Sequence, residues 1–176
     1  MKKGGASLSH LENTVKKPVA ICILTVSDTR TMENDKSGAT IKRMAEAEGH
    51  SIVDYRISTD DPSQISKHLQ EWLKQSTVEA IILTGGTGIS HRDQTIETVT
   101  PYFTKPLDGF GELFRFLSYS EDVGSKALLS RAVAGAIHEK VLFALPGSSK
   151  AVELGMRKLI LPELHHIVRE LTKHLD

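Results

Sequence analysis

Three glycines follow a run of apolar residues within the segment ILTGGTGISHRDQT, residues 82–95. Gly85, Gly86 and Gly88 permit positive φ angles and leave consecutive backbone N–H groups exposed. Such a concave set of N–H groups can bind an anion, above all a phosphate. The segment lacks the Gly-Lys-Ser/Thr ending of a Walker A loop and the G-x-G-x-x-G spacing of a dinucleotide loop. The alternative is a tight strand-to-helix turn that needs glycine for its geometry alone.

Two carboxylates follow predicted strands on either side of this segment. Asp60 comes after the apolar run at 50–58, and Asp93 comes after the glycines. Sequential strands are usually neighbours in a sheet, so both acids could flank one phosphate-binding turn. Mg²⁺ binds in such places, through one or two carboxylates together with phosphate oxygens. The alternatives are structural, since Asp60 or Asp61 could cap a helix and Asp93 could pair with Arg92 or cap its loop.

The pattern of apolar runs and helical segments predicts the fold that would position these residues. Buried strands are expected at residues 18–26, 50–58, 78–84 and 140–145. Because these strands alternate with helices, we expect right-handed βαβ units and a mostly parallel sheet that is covered on both faces, an α/β fold. Ligands bind at the carboxyl ends of the strands in such folds, where this chain has the loops SDTR, STDD, TGGTG and LPGSS.

Helix boundaries are marked by ordinary capping residues. Gly49 ends a helix, and Asp61 begins the next one as its N-cap, with Pro62 at the first helical position. Helical pieces are also expected at residues 95–103, 110–119 and 126–137, and in a final helix with Leu164, Ile167, Val168 and Leu171 on one face. Ser148 or Ser149 could cap the helix after the fourth strand.

Composition narrows the class of protein. The 176 residues suit one domain, and the 22 basic and 22 acidic residues cancel, so no basic surface for nucleic acid or membrane is expected. No apolar run reaches the ~20 residues of a membrane span, and the lysines at the start have no apolar segment after them. Cys22 lies within an apolar run as a buried free thiol. These features together predict a cytoplasmic protein.

Several motifs, in the order in which they occur, carry a resemblance to a known family. They are ILTVSDTRT, D-K-SG, ILTGGTGISHRDQT, PLDGFGELFRFLSY, LLSRAVAG and FALPGSSKA. Together they resemble the MoaB/Mog molybdopterin-binding family over about residues 18–170, and GFGELFR and SRAVAG resemble its MoaB branch. The resemblance implies a three-layer α/β/α fold and a homotrimer, or a hexamer built from two trimers.

The resemblance also implies an activity and its substrates. Active members transfer AMP from ATP to molybdopterin, with Mg²⁺, and release pyrophosphate. This chemistry needs no protein nucleophile, because a phosphate oxygen of the pterin is the attacking group, and positioning and electrostatics do the work. The absence of a convincing catalytic triad from the sequence fits this reaction. The alternative is a member that binds molybdopterin, or serves as a scaffold, without turnover.

Residue roles follow from the same resemblance. The two acids on which family activity depends correspond to Asp60 and Asp93, which would also hold the metal. The phosphate-binding loop corresponds to Gly85, Gly86, Thr87 and Gly88. Segments that line the pterin or nucleotide pocket correspond to Ser130 and Arg131, and to Pro146, Gly147 and Ser148.

The first 17 residues form a polar N-terminal arm, and residues 18–176 form the single molybdopterin-binding domain. Leu8, Leu11 and Val15 are the large apolar residues of the arm, too few to offset the entropy cost of folding alone. Their spacing matches one face of a short helix. Because the family forms trimers, we expect this face to pack across a subunit interface.

Overall fold

The computed structural model describes residues 17–175. The predictions for the N-terminal arm therefore lie outside the described residues, apart from Lys17. One six-stranded sheet organises the fold, with strand order β2-β1-β3-β6-β5-β4. Its strands are β1 (Ala20–Val26), β2 (Ser51–Ser58), β3 (Ala80–Thr84), β4 (Lys105–Pro106), β5 (Val133–Ile137) and β6 (Lys140–Leu145). β1 pairs in parallel with β2 and β3, and β3 pairs in parallel with β6, so the predicted parallel strands are confirmed.

Helices cover both faces of this sheet, as predicted. They are α1 (Lys36–Ala47), α2 (Pro62–Leu73), α3 (Thr95–Val99), α4 (Asp108–Ser118), α5 (Ser149–Gly155) and α6 (Leu161–Thr172). Short 3₁₀ segments at Thr100–Tyr102 and Gly124–Leu129 and π-helical turns at Tyr119–Val123 and Met156–Ile160 extend them. Among the described residues, no helix has both the length and the hydropathy that a membrane crossing requires.

Two hydrophobic clusters lie on opposite faces of the sheet because side chains alternate along each strand. On β1, Ile21 and Ile23 belong to one cluster, and Cys22 and Leu24 belong to the other. The first cluster contains buried side chains of α1, α4, α5 and α6, and the second contains those of α2. This arrangement confirms the three-layer α/β/α architecture and explains why the central parallel strands β1, β3 and β6 are largely apolar. The edge strand β2 is partly exposed and contains Asp54 and Arg56.

The prediction of a helix through residues 126–137 was wrong at its second half. Val133–Ile137 form β5, which pairs antiparallel with β6 through a two-residue turn at His138 and Glu139. His138 takes the positive φ of 54° that this turn requires. The ring of Phe103 packs directly over Gly135, where a Cβ would overlap it. Alanines and a glycine carry little periodic signal, so pairing with β6 decides their conformation.

The four parallel strands end at one edge of the sheet, and their loops meet there. We call them the β1 loop (residues 27–35), the β2 loop (59–61), the glycine loop (85–88) and the β6 loop (146–148). A hydrogen bond from Gly85 N to the carbonyl oxygen of Leu145, 3.0 Å, joins the glycine loop to the end of β6. The predicted meeting of these loops at the carboxyl ends of the strands is therefore observed.

Candidate functional site

A cleft of about 680 Å³ opens at this edge of the sheet, between the four loops. Nine of the eleven residues predicted for the site line it. They are Asp60, Gly85, Gly86, Thr87, Gly88, Asp93, Ser130, Pro146 and Gly147. The two others, Arg131 and Ser148, lie beside the cleft with their side chains engaged elsewhere. One cavity thus contains both carboxylates and the glycine loop.

The glycine loop needs glycine for its geometry and for the closeness of its neighbours. Gly85 and Gly86 have positive φ angles of 98° and 61°, which disfavour other residue types. A Cβ on Gly86 would overlap Asp60 Oδ1 and the hydroxyl of Thr95. Thr95 also fixes the loop from below, since its hydroxyl and its N–H donate to the carbonyl oxygens of Gly85 and Gly86, both at 2.9 Å. The carbonyl groups of Gly85 and Gly86 therefore point toward Thr95.

Asp60 has an unusual environment for a carboxylate. Its Oδ1 atom is buried and has no hydrogen-bond partner among the described residues. Burial raises the pKa of Asp60 above its ordinary value, and the negative charges of Asp28 and Asp93 raise it further, against a smaller opposing effect of Arg92. An unpartnered buried oxygen is costly unless a proton or a cation satisfies it. Asp60 is therefore suited to bind a cation.

The neighbouring Asp61 has a different role. It is exposed, and its side chain accepts a hydrogen bond from Ser63 N at 2.7 Å as the N-cap of α2. Pro62 follows at the first helical position. The predicted cap is confirmed at Asp61, whereas Asp60 lines the cleft. Two adjacent aspartates that the sequence alone could not distinguish thus have distinct environments.

Asp93 lies on the other side of the glycine loop. Its Oδ2 atom accepts a hydrogen bond from Ser90 N at 2.9 Å, so it caps its own loop. It also faces the glycine loop, since a Cβ on Gly88 would stand 2.6 Å from Oδ2. Arg92 pairs with Asp28 rather than with Asp93. Asp93 therefore combines a structural hydrogen bond with a position on the cleft wall.

The two predicted residues outside the cleft lining support it from behind. Arg131 donates from Nη1 to the carbonyl oxygen of Gly88 at 2.9 Å and forms an ion pair with Glu97. Ser148 caps α5 by accepting a hydrogen bond from Ala151 N at 3.2 Å. Both contacts fix loops that line the cleft. Direct contact of Arg131 or Ser148 with a ligand remains a prediction.

Sequence reasoning missed three polar residues of the cleft, Ser27, Arg30 and Lys126. Ser27 and Arg30 belong to the β1 loop, whose position after a buried strand was the available signal. Lys126 lies in the 3₁₀ segment after α4, for which no signal in the sequence pointed to the cleft. Val123 and Leu129 add apolar surface on the same side. The cleft thus has a polar wall of loops and a partly apolar opposite wall.

The carboxylates of the cleft, Asp60 and Asp93, fit a magnesium ion that also binds water and phosphate better than a metal coordinated only by protein side chains. Within residues 17–175, no three His, Cys, Asp or Glu side chains cluster as a ligand set. Mg²⁺ requires less, because it keeps several waters and takes one or two carboxylates together with phosphate oxygens. Asp60, with its unpartnered Oδ1, and Asp93 stand on either side of a loop suited to phosphate. These residues fit the ion that the sequence predicts.

Comparison with known families identifies the class of protein that this fold and cleft define. The family described as "Probable molybdopterin binding domain" matches residues 22–166. The chain belongs to this molybdopterin-binding family, and the family assignment made from the sequence motifs is confirmed.

Several proteins similar to this chain are named molybdenum cofactor biosynthesis protein B, or MoaB. The protein from Staphylococcus carnosus is 51% identical over 166 residues, which are 93% of this chain and 97% of that protein. A crystal structure of molybdenum cofactor biosynthesis protein B has a TM-score of 0.88 at 48% identity, covering 90% of this chain and 98% of that one. The tungsten cofactor synthesizing protein MoaB from Pyrococcus furiosus has a TM-score of 0.79 at 39% identity, covering 88% and 98%.

Proposed function

We propose that this protein acts in molybdenum cofactor biosynthesis by transferring AMP from Mg²⁺-ATP to molybdopterin, with release of pyrophosphate. The observation that carries the proposal is the buried, unpartnered Oδ1 of Asp60, which lies against the glycine loop in the same cleft as Asp93. An unsatisfied carboxylate beside a loop suited to phosphate supports a cation held between the protein and bound phosphate groups, as the transfer reaction requires.

The reaction is a substitution at phosphorus. A phosphate oxygen of molybdopterin attacks the α-phosphorus of ATP, a new P–O bond forms, and the bond to the bridging oxygen breaks as pyrophosphate leaves. The protein must hold two anions in line, which backbone N–H groups of the glycine loop can do. Asp60 and Asp93 would hold Mg²⁺, which supplies positive charge to the phosphate oxygens when bound. A titrating base is not needed, because the attacking oxygen is already anionic.

The rest of the cleft lining supports the proposal that two substrates with flat rings bind there. Val123 and Leu129 provide apolar surface opposite the polar loops, and Ser130 offers a hydroxyl beside them. Small-molecule sites combine such apolar walls with a few polar groups that fix orientation. A volume of about 680 Å³ is in the range of ligand-binding clefts.

Pyrophosphate release tests this proposal, with purified protein, ATP, Mg²⁺ and molybdopterin. Asp60→Asn and Asp93→Asn should each lower the rate by about 100-fold or more, because they remove charge that acts on the transferring group. Asp61→Asn is the matched control, since this exposed helix cap lies outside the cleft and asparagine can still cap. It should keep the rate of the unmodified protein.

Two results would contradict the proposal in different ways. Normal pyrophosphate release in both cleft variants would remove Asp60 and Asp93 from the reaction. Tight molybdopterin binding by the unmodified protein with no pyrophosphate release would identify a binding or scaffolding member of the family instead. The first result rejects the site, and the second rejects the activity.

We further propose that the protein works in the cytoplasm, where ATP is available, as a homotrimer or as a hexamer of two trimers. Large exposed apolar side chains support an interface, including Phe116 at 65%, Tyr119 at 62% and Leu128 at 85% exposure. Light scattering measures the mass directly, and a monomer would reject the assembly. If the N-terminal arm joins two trimers, deletion of residues 1–15 should convert hexamers into trimers. If it does not, the number of subunits in the assembly should stay the same.

A further inference from the structure

Arg30 of the β1 loop bridges two walls of the cleft. Its Nη1 atom donates to Asp35 Oδ1 at 3.2 Å and to the hydroxyl of Ser37, and its Nη2 atom donates to the carbonyl oxygen of Gly147 at 2.7 Å. The Gly147 contact joins residues that are 117 positions apart in the chain. Arg30 is thus the side chain through which the β1 loop holds the β6 loop.

Asp35 anchors this bridge from beneath the cleft. Its side chain is fully buried, with 0% exposure, and it begins α1 as the N-cap. Oδ1 accepts hydrogen bonds from Gly38 N and the Ser37 hydroxyl, both at 3.0 Å. Oδ2 accepts hydrogen bonds from the hydroxyl of Thr25 on β1 and, at 2.6 Å, from that of Tyr55 on β2. Asp35 therefore has a fixed position to which Arg30 is tied.

The guanidinium still has donors available for a ligand. Three of the five N–H donors of an arginine are used by the contacts to Asp35, Ser37 and Gly147 within residues 17–175, which leaves two. The side chain is 29% exposed and lines the cleft. A planar guanidinium whose orientation is already fixed loses little entropy when it binds a phosphate oxygen.

From this geometry we propose that Arg30 binds a phosphate group of a substrate, and that Asp35 is a positioning residue that orients Arg30 and, through it, the β6 loop. The phosphate ligand rests on the proposed function, whereas the orientation of the β6 loop does not. Asp35 touches no substrate itself, since it is buried beneath the cleft. The phosphate could belong to the nucleotide or to the pterin, and binding measurements distinguish the two.

Titrations of ATP and of molybdopterin, each alone, test the role of Arg30. Arg30→Met should weaken the binding of at least one of them by about tenfold or more, since a hydrogen bond to a charged group is lost. Arg43→Met is the matched control, because this exposed arginine of α1 carries the same charge outside the cleft. Arg30→Lys should restore part of the affinity through its charge. Unchanged affinity for both ligands in Arg30→Met would overturn the proposed phosphate contact.

The role of Asp35 requires a double variant. Asp35→Asn should weaken the same ligand as Arg30→Met, and Arg30→Met/Asp35→Asn should bind no more weakly than Arg30→Met alone, because both changes remove one linked contact. Additive losses would show that Asp35 acts independently of Arg30 and would overturn its positioning role. If Asp35→Asn does not fold, Tyr55→Phe removes one donor to the carboxylate and should give the same pattern with a smaller effect.

Loop order in the ligand-free protein tests the positioning role without any substrate. Backbone order parameters of Gly147 and Ser148 should fall in Arg30→Met from the rigid level of about 0.85 toward the flexible level below about 0.6. Unchanged order parameters would overturn the link to the β6 loop. If ATP binding depends on Arg30 but no pyrophosphate is released, only the proposed transfer reaction is rejected. If the unmodified protein binds neither ligand, both that reaction and the phosphate contact are rejected.

Discussion

Asp35 and Asp60 lie in loops at the same edge of one sheet, yet their carboxylates are in opposite situations. Asp35 receives hydrogen bonds from β1, from β2 and from the first turn of α1, and both of its oxygens are satisfied. Asp60 Oδ1 is buried without a partner in the described part of the chain. Only 25 positions separate them, so the difference comes from their immediate surroundings.

The pKa values of the two carboxyl groups move in opposite directions, although burial acts on both in the same sense. Burial alone would raise the pKa of Asp35, but hydrogen bonds from Thr25 and Tyr55, followed by Gly38 and Ser37, lower it below its ordinary value of 3.8. Burial also raises the pKa of Asp60, and there the nearby charges of Asp28 and Asp93 raise it further. Hydrogen bonds to the charged form thus decide the sign of the shift.

This contrast separates a carboxylate that stabilises the fold from one that is ready for a ligand. A carboxylate whose oxygens already accept hydrogen bonds from the protein has no free position for a cation. A buried carboxylate oxygen without a partner lowers the stability of the protein until a ligand binds to it. A Cβ at Gly38 would overlap Asp35 and the Tyr55 hydroxyl, so even the backbone beneath Asp35 is closely packed. We therefore expect substitutions at the two positions to change stability in opposite directions.

The largest stability change is expected at Asp35. Asp35→Asn should lower the free energy of unfolding by about 3 kcal/mol at pH 7, because it leaves Arg30 and several buried donors without the charge they face. Urea denaturation measures this loss. Asp122→Asn is the control, since Asp122 is exposed and should change stability by less than about 0.5 kcal/mol.

The pH dependence of this loss has a defined sign. The pKa of Asp35 is lowered in the folded protein, so its contribution is present above the ordinary value of 3.8 and is lost as pH falls below it. The difference between the unmodified protein and Asp35→Asn should therefore shrink on going from pH 7 to pH 3. A difference that stays constant over this range would mean that charge is not what Asp35 contributes.

Much of the fold could be predicted because three of its parallel strands, β1, β3 and β6, are buried on both faces. In a chain of this length, a short run of Ile, Leu and Val such as residues 18–26, bounded by polar loops, is typical of a buried strand. β5 could not be predicted, because its alanines and glycine resemble a helix as much as a strand. Its conformation depends on pairing with β6 and on the Phe103 ring over Gly135, which are tertiary contacts.

The candidate site divides in the same way. Gly85, Gly86, Asp60 and Asp93 could be proposed from the sequence because their residue types carry chemistry and follow strands. The link between Asp35 and Arg30 could not, because it depends on Tyr55 and Gly147, which lie 20 positions from Asp35 and 117 from Arg30. Likewise, Asp60 and Asp61 are equivalent as letters, and only the structure shows which one is buried at the cleft and which one caps α2.

A smaller stability change than at Asp35, and one of opposite sign, is expected at Asp60. This difference in sign is the sharper test of the contrast between the two aspartates. Asp60→Asn should raise the melting temperature at pH 7 by up to about 3 °C, since ~1 kcal/mol corresponds to roughly 2–4 °C in a domain of this size. The substitution removes a partly buried charge that Asp28 and Asp93 oppose. Because the pKa of Asp60 is raised in the folded protein, its ionisation lowers stability as pH rises above 3.8, so the gain should disappear toward pH 3.

Without ligand, Asp60→Asn is expected to melt above the unmodified protein, and adding Mg²⁺ with ATP should reverse this order. If Mg²⁺ with ATP binds the folded state, as proposed, it should raise the melting temperature of the unmodified protein, by an amount that increases with its affinity. Asp60→Asn should lose most of that increase, because the substituted side chain no longer offers a carboxylate to the ion. Thermal melts of both proteins, with and without Mg²⁺ and ATP, measure the reversal. A variant that melts below the unmodified protein without ligand would show that Asp60, like Asp35, stabilises the fold, and the distinction between the two aspartates would fail.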